Sequence, residues 1–318
     1  MLSKLAFVSW RSLFGLLALL LAATIPLKVA NADELVVADQ RGLQKALLQA
    51  AGADQGLNYT LRWAEFDAAA PLLQALGAGA VDAGIAGDGP FLFAWGAGIP
   101  VKAAVLLPPR GGGHMTAIIV PPKSNIHTVE DLAGKRIATG RGSIGHLLAL
   151  SLQRKGRLGS TPPKFVFLSP AQSKSALDSG AVDAWSTWEP YVTLADAQTG
   201  ARTIADGYGV MPNNGFLVAA DSAIENKHAQ LADFFHRMTK AYAWGREHPE
   251  EFAALLSRQT GLPLDVARKV ASKQITIPTA INDDILKQEQ EVLATYRAAG
   301  IIHGDRALNE AFDRSFTP

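Results

Sequence analysis

The feature that most constrains the fold is a short internal repeat. Gly79-Ala-Val-Asp-Ala83 recurs letter for letter as Gly180-Ala-Val-Asp-Ala184. One such match carries little weight in a chain rich in alanine and glycine, but its surroundings repeat in the same order, about 100 residues on. Asp39-Gln40-Arg41-Gly42 opens one expected helix and Thr139-Gly140-Arg141-Gly142 another. Phe66-Asp67 and Leu168-Ser169-Pro170 each end a strand on an N-cap residue, and Ser169-Pro170 is a strong cap and first-turn pair. Gly87-Asp88-Gly89-Pro90 and Trp188-Glu189-Pro190 each lead from the repeat into a helix start. Turn chemistry that recurs in one order at one offset predicts two similar lobes.

Between these landmarks strands and helices alternate, the pattern of an α/β sheet with helices on both faces. Glu34–Ala38, Tyr59–Phe66, Val81–Ile85, Val101–Leu107, Thr116–Val120 and Phe216–Ala220 read as strands. Gly42–Ala51, Pro71–Leu76 and a start at Pro90–Trp95 read as helices, and the chain finishes in helices over Leu231–Glu247, Pro249–Arg258, Leu264–Ser272 and Asp283–Ala299. The expected division is residues 33–120 with 215–318 as the first lobe and 121–214 as the second. Two crossings between lobes make a hinge, the arrangement of a two-lobed periplasmic binding protein (type II-like) with its ligand in the interlobe cleft.

The N-terminus reads as an export signal. Lys4 and Arg11 make a basic start, Leu13–Ile25 is an apolar run too short to span a bilayer, and Ala30-Asn31-Ala32 offers small residues for cleavage after Ala32. A periplasmic chain follows. Residues 1–32 hold Lys4, Arg11 and Lys28 and no acid, so of 30 basic and 29 acidic residues 27 and 29 remain. No excess positive charge is left to suggest nucleic acid. The absence of cysteine excludes disulfides, thiolate catalysis, Cys-ligated zinc and an N-terminal lipid anchor. The histidines show no metal-binding spacing, and His114 after Gly111-Gly-Gly113 reads as a turn, so neither metal nor cofactor is expected.

In an open α/β sheet, ligands bind beyond the carboxyl ends of the strands, where helix N-termini favour anions. Arg41-Gly42 and Gly142-Ser143 are such turns, with glycines that allow close backbone approach and a Ser143 hydroxyl. His146 lies near the second turn. Trp185 and Trp188 stand where the first lobe has Gly84 and Gly87, and so offer an apolar wall or core packing. Asp88 and Glu189 are equivalent in the repeat and either cap helices or face a ligand.

These segments resemble the aliphatic sulfonate-binding proteins of ABC transporters, within the wider group that binds taurine, nitrate and thiamine-pyrimidine precursors. The resemblance rests on Asp39-Gln40-Arg41-Gly42 (family Y-Q-K-G), Gly87-Asp88-Gly89-Pro90 (T-G-D-x-P), Arg141-Gly142-Ser143 with His146 (K-G-S-S-x-H), Ser169-Pro170-Ala171, and Asp183-Ala184-Trp185-Ser186-Thr187-Trp188-Glu189-Pro190-Tyr191 (D-A-W-x-x-W-D-P-Y). It implies that Gln40, Gly87, Asp88, Gly142, Ser143, Trp185 and Glu189 surround the ligand, with the anionic head near Gly142-Ser143 and the carbon tail near the tryptophans. Ile144 departs from the family's second Ser, Asp39 from its aromatic and Glu189 from its Asp. The implied function is the binding component of an importer, a monomer that delivers a small sulfonate to an inner-membrane permease with its ATPase. Nitrate, a sulfate ester, taurine, an aromatic sulfonate or a pyrimidine precursor as ligand, and a sensor role, stay open. No nucleophile elbow, zinc motif or phosphate-cradling loop is present, which argues against an enzyme.

Overall fold

The structure is a computed structural model that describes residues 34–109 and 113–318. The expected leader, its cleavage site after Ala32, and Gly111 and Gly112 lie outside the described residues. Among the described residues, ten strands form two sheets of five. The first has the order β2-β1-β3-β10-β4, from β1 (Glu34–Gln40), β2 (Thr60–Phe66), β3 (Ala83–Gly87), β4 (Val101–Leu107) and β10 (Gly215–Ala220). The second has the order β7-β6-β8-β5-β9, from β5 (Thr116–Val120), β6 (Arg136–Thr139), β7 (Lys164–Phe167), β8 (Ala184–Trp188) and β9 (Arg202–Asp206). In each sheet four strands run in one direction, and the one antiparallel strand, β10 or β5, is the strand the chain enters on crossing between sheets.

That pairing corrects the expected first crossing. Thr116–Val120 does not end the first lobe. Ile118 faces Ser186 of β8 on one side and Ala205 of β9 on the other, so the change of sheet falls between Leu107 and Thr116, ahead of Pro121-Pro122-Lys123. All five residues of β5 are buried. A short apolar run identifies a central strand but carries no mark of which sheet it joins.

The repeat turns out to be scaffold. Gly79 and Gly180 follow helices α2 (Ala69–Gly77) and α5 (Pro170–Asp178) and adopt φ of 67° and 73°, which a side chain resists. Val81 and Val182 are buried. Asp82 then accepts the backbone N–H of Val36 at 2.7 Å and returns its own N–H to the Val36 carbonyl, also at 2.7 Å. Asp183 does the same with Arg136, at 2.7 and 2.9 Å. Each aspartate thus locks the start of the central strand, β3 or β8, to its parallel neighbour, β1 or β6. Lys227 neutralises the first at 2.8 Å and the Arg136 guanidinium the second at 3.0 Å. This chemistry sits at the amino ends of the parallel strands, away from the ligand edge.

The other helices of the lobes are α1 (Leu43–Ala50), α3 (Asp88–Gly96), α4 (Ile144–Arg154) and α6 (Tyr191–Thr199). The C-terminal part adds α7 (Asp221–Asn226), α8 (His228–Glu247), α9 (Pro249–Thr260), α10 (Leu264–Gln274) and α11 (Asp283–Ala298). It returns to the first sheet, where Thr279 bridges to Leu106 and Phe312 to Ala103. The lobes meet on two flanks. On one, α3 packs on α4 beneath α11; on the other, α6 packs on α10. The α3–α4 contact is tight enough to require glycine: a methyl group on Gly142 would sit 2.4 Å from the Phe93 ring.

A buried polar chain pins the second crossing. Asp88 accepts N–H groups from Gly89 at 2.6 Å and Asn214 at 2.9 Å, and the Asn214 amide donates to Glu289 on α11 at 2.8 Å. Burial pushes the Asp88 carboxyl up to about 7. Burial, with the Asp88 charge beside it, holds Glu289 well above the ordinary carboxylate range. Both acids therefore keep protons in the folded chain that the unfolded chain releases above about pH 4, so they lower stability as pH rises from there to about 7. Glu289→Gln keeps the acceptor and removes the ionisation. Thermal denaturation should show a smaller fall in Tm between pH 5 and pH 8 for this variant than for the parent, by the few degrees that about 1 kcal/mol represents in a chain of this size. Parallel profiles would show that Glu289 ionises normally.

Candidate functional site

Four helices begin where the central parallel strands of the two sheets end: α1 after β1, α3 after β3, α4 after β6 and α6 after β8. Each N-terminus leaves backbone N–H groups without helical partners and carries a partial positive charge. In three of the four the chain supplies its own carboxyl group. Asp39 accepts the N–H groups of Gln44 at 3.1 Å and Lys45 at 2.9 Å on α1. Asp88 accepts Gly89 N–H on α3. Glu189 accepts Thr193 N–H at 3.1 Å on α6.

Helix α4 is different. Its cap is the Ser143 hydroxyl, which accepts His146 N–H at 3.2 Å. The Gly142 N–H donates to His146 Nδ1 at 3.1 Å. Burial, with the Arg141 charge nearby, pushes His146 down to about 4, so its ring is neutral at physiological pH and Nδ1 is free to accept. Both capping groups are therefore uncharged. Among the described residues nothing accepts the N–H groups of Ile144 and Gly145, the first two of the helix. The next cation, Arg141, lies with its guanidinium 4.1 Å from the Phe167 ring centroid and makes no ion pair among the described residues.

The structure gathers most of the sequence-identified residues at this gap, in varied roles. Gln40 donates to the Ile85 carbonyl at 3.1 Å and ties the ends of β1 and β3 together. Arg41 adopts φ of 59°, ahead of Gly42 at 69°, and reaches the second lobe with its guanidinium 5.5 Å from the Tyr191 ring centroid. Gly87 lies across the gap from Ile144: a methyl group on it would be 3.8 Å from Ile144 Cδ1. Gly142 and Ser143 form the α4 turn. Trp188, half-buried at the end of β8, turns its ring edge-on to Tyr191 at 5.8 Å.

Three expectations change. Trp185 sits mid-strand, 2 % exposed, within the apolar core of the second lobe beside Leu177, Val182 and Val192, so it packs rather than walls the cleft. His146, beside the second turn and so a candidate for ligand contact, is buried against Phe165 and Phe167 and serves the backbone. Asp88 and Glu189 cap helices, the first of the two roles open to them. Sequence reasoning missed Tyr191 as a cleft residue, Phe93 and Tyr296 against the Gly142-Ser143 turn, and Lys273 beside Glu189. All but Tyr191 lie far from the turn in sequence, and no local pattern announces them. Among the described residues no group of three or more His, Asp or Glu could hold a metal ion, and no helix is long and apolar enough to cross a membrane.

Comparison with known proteins supports this architecture. The chain is 32% identical over 232 residues to the putative aliphatic sulfonates-binding protein of Escherichia coli K12, which covers 73% of this chain and 72% of that one. The solved alkanesulfonate-binding protein of Xanthomonas axonopodis pv. citri, bound to MOPS, superposes with a TM-score of 0.82 at 26% identity, over 89% of this chain and 99% of that one. Both are binding proteins. A desulfurization enzyme shares the fold at a TM-score of 0.61 and 16% identity, over 89% of this chain and 97% of that one, a likeness of fold alone. The family model described as NMT1/THI5 like matches residues 53–252, and the chain belongs to that family.

Proposed function

We propose that the chain is the periplasmic substrate-binding component of an ABC importer, and that it captures an organic sulfonate between its lobes. The observation that carries this reading is the N-terminus of α4. At the other three helix starts an internal carboxyl group already takes one or more of the first-turn N–H groups and places a carboxyl where an anion would sit. At α4 the N–H groups of Ile144 and Gly145 and the nearby Arg141 are left for a ligand, and the Ser143 hydroxyl, 3.3 Å from the Thr139 hydroxyl, stands beside them. The head group of a sulfonate offers three oxygens of one negative charge to such a set. Ile144 and Gly87 line the gap beside it, and the ring edges of Trp188 and Tyr191 offer apolar surface for a carbon tail.

On this reading the open form receives the anion on the second lobe, and closure buries it against Gly87 and the first lobe. The ligand favours closure by its higher affinity for the closed form. The closed chain then delivers its cargo to a membrane permease driven by an ATPase. The sulfonate-binding relatives support that role, and the expected leader and its cleavage after Ala32 support a periplasmic location. The absence of cysteine supports a carrier over a desulfurizing enzyme that uses a thiolate. A tail-less anion such as nitrate would leave Trp188 and Tyr191 without a partner.

Two substitutions separate the parts of the site. Ser143→Asp keeps a good N-cap and so the helix, but gives α4 the internal carboxylate the other helices have. Isothermal titration with octanesulfonate should show affinity at least tenfold weaker, about 1.4 kcal/mol, with Tm preserved. Unchanged affinity would place the anion elsewhere. Trp188→Ala should weaken octanesulfonate by about 1–3 kcal/mol while methanesulfonate loses far less, because only the longer tail reaches the ring. Equal losses would make Trp188 a packing residue.

A further inference from the structure

Glu189 carries a charge that a sulfonate site does not need. Its side chain is fully buried, with 0% exposure, one residue beyond Trp188 and at the start of α6. Two of its bonds are local: Thr193 donates its N–H at 3.1 Å and its hydroxyl at 2.8 Å. The third comes from the other lobe. The Lys273 ammonium, near the end of α10, donates to Oε1 at 2.5 Å. Helix α10 packs on α9, and α9 on α1, so Lys273 belongs to the first lobe and the pair spans the flank opposite the α3–α4 contact.

We infer that Lys273 is a positioning residue for ligand capture: its ion pair with Glu189 latches α6 to α10 in the closed form, and so sets the closed fraction and the affinity for every ligand alike. The inference rests on the reading that the lobes close on a ligand. A buried carboxylate that loses its cation while still buried is strongly disfavoured. The pair can part without that cost only if water reaches both ends as the lobes separate. A cavity of about 650 Å³ lined by Val192, Thr193, Lys269, Ser272 and Lys273 opens on this flank, and the Lys273 side chain is 34% exposed, so solvent has access to one end of the pair. The pair therefore exists with the lobes together and is replaced by hydration when they are apart. Its partner Glu189 also fixes the start of α6, which places Trp188 and Tyr191 at the gap. Apparent affinity scales with the fraction of binding-competent molecules, so a latch changes all ligands by one factor, whereas a residue that touches the tail discriminates among them.

The absence of native cysteine makes the test direct. Spin labels on Ala50→Cys and Ser175→Cys, at exposed positions on α1 and α5, report the distance between lobes by double electron–electron resonance. Lys273→Met should widen the ligand-free distance distribution and weaken methanesulfonate and octanesulfonate by the same factor, at least about fivefold, the lower end of ordinary coupling between sites. Lys273→Arg should restore both. Glu189→Gln combined with Lys273→Met should bind no worse than the weaker single variant. An unchanged distance distribution with unchanged affinities, a loss confined to octanesulfonate, or additive losses in the double variant would each overturn the latch. A parent chain that binds neither sulfonate would overturn the sulfonate reading alone, since the ligand-free distributions still decide the latch.

Discussion

Two sheets that point the carboxyl ends of their parallel strands at each other bring several helix N-termini into one gap, all of the same electrostatic sign. Positive ends that face one another across a few ångströms repel unless something negative lies between them. The molecule answers this with its own side chains at three of the four central helices: Asp39 on α1, Asp88 on α3 and Glu189 on α6. Burial raises Asp39 to about 6, so at neutral pH its charge stays on α1. The fourth, α4, is capped by a hydroxyl and a neutral imidazole. The gap thus has an internal carboxyl group at three helix starts and none at α4, the place where the proposed function seats a small anion.

The same logic separates what holds the lobes from what holds a ligand. Asp88 reaches the second crossing through Asn214 and, beyond it, Glu289; the Tyr296 hydroxyl on the same helix as Glu289 donates to the Gly142 carbonyl at 3.3 Å. Glu189 reaches the first lobe through Lys273. Each carboxyl that fills a helix start near the hinge therefore also joins neighbouring elements across a crossing or a flank. Capping and contact between the lobes share residues, which explains why acids occupy positions where a ligand contact was expected.

How much of this was legible in the sequence depends on the range of the interaction. The two α/β lobes could be read because Asp82 and Asp183 perform the same task in each, tying the start of one strand to the parallel strand 46 or 47 residues earlier, and a task performed twice leaves the same letters twice. The α4 turn could be read because its cap and its glycine lie within three residues. The membership of Thr116–Val120 could not, since a fully buried strand looks the same in either sheet. Trp185 and Trp188 looked alike as letters. Their roles part because three residues along a strand carry a side chain to the opposite face and from mid-strand to the strand end. Lys273 and Glu289 stay silent until the chain folds, because their partners lie 84 and 75 residues away.

The central claim is that the anion rests on the N-terminus of α4. The most direct measurement is a crystal structure of the chain from Asp33 onward with octanesulfonate, phased to show sulfur by its anomalous signal. With no cysteine, the only protein sulfur there is methionine, at Met115, Met211 and Met238, so a ligand sulfur stands out. The account predicts that peak about 3.5–4 Å from the backbone nitrogens of Ile144 and Gly145, the distance of a sulfonate oxygen bonded to both. A peak at the start of α1, α3 or α6, with the N–H groups of α4 left to water, would contradict it.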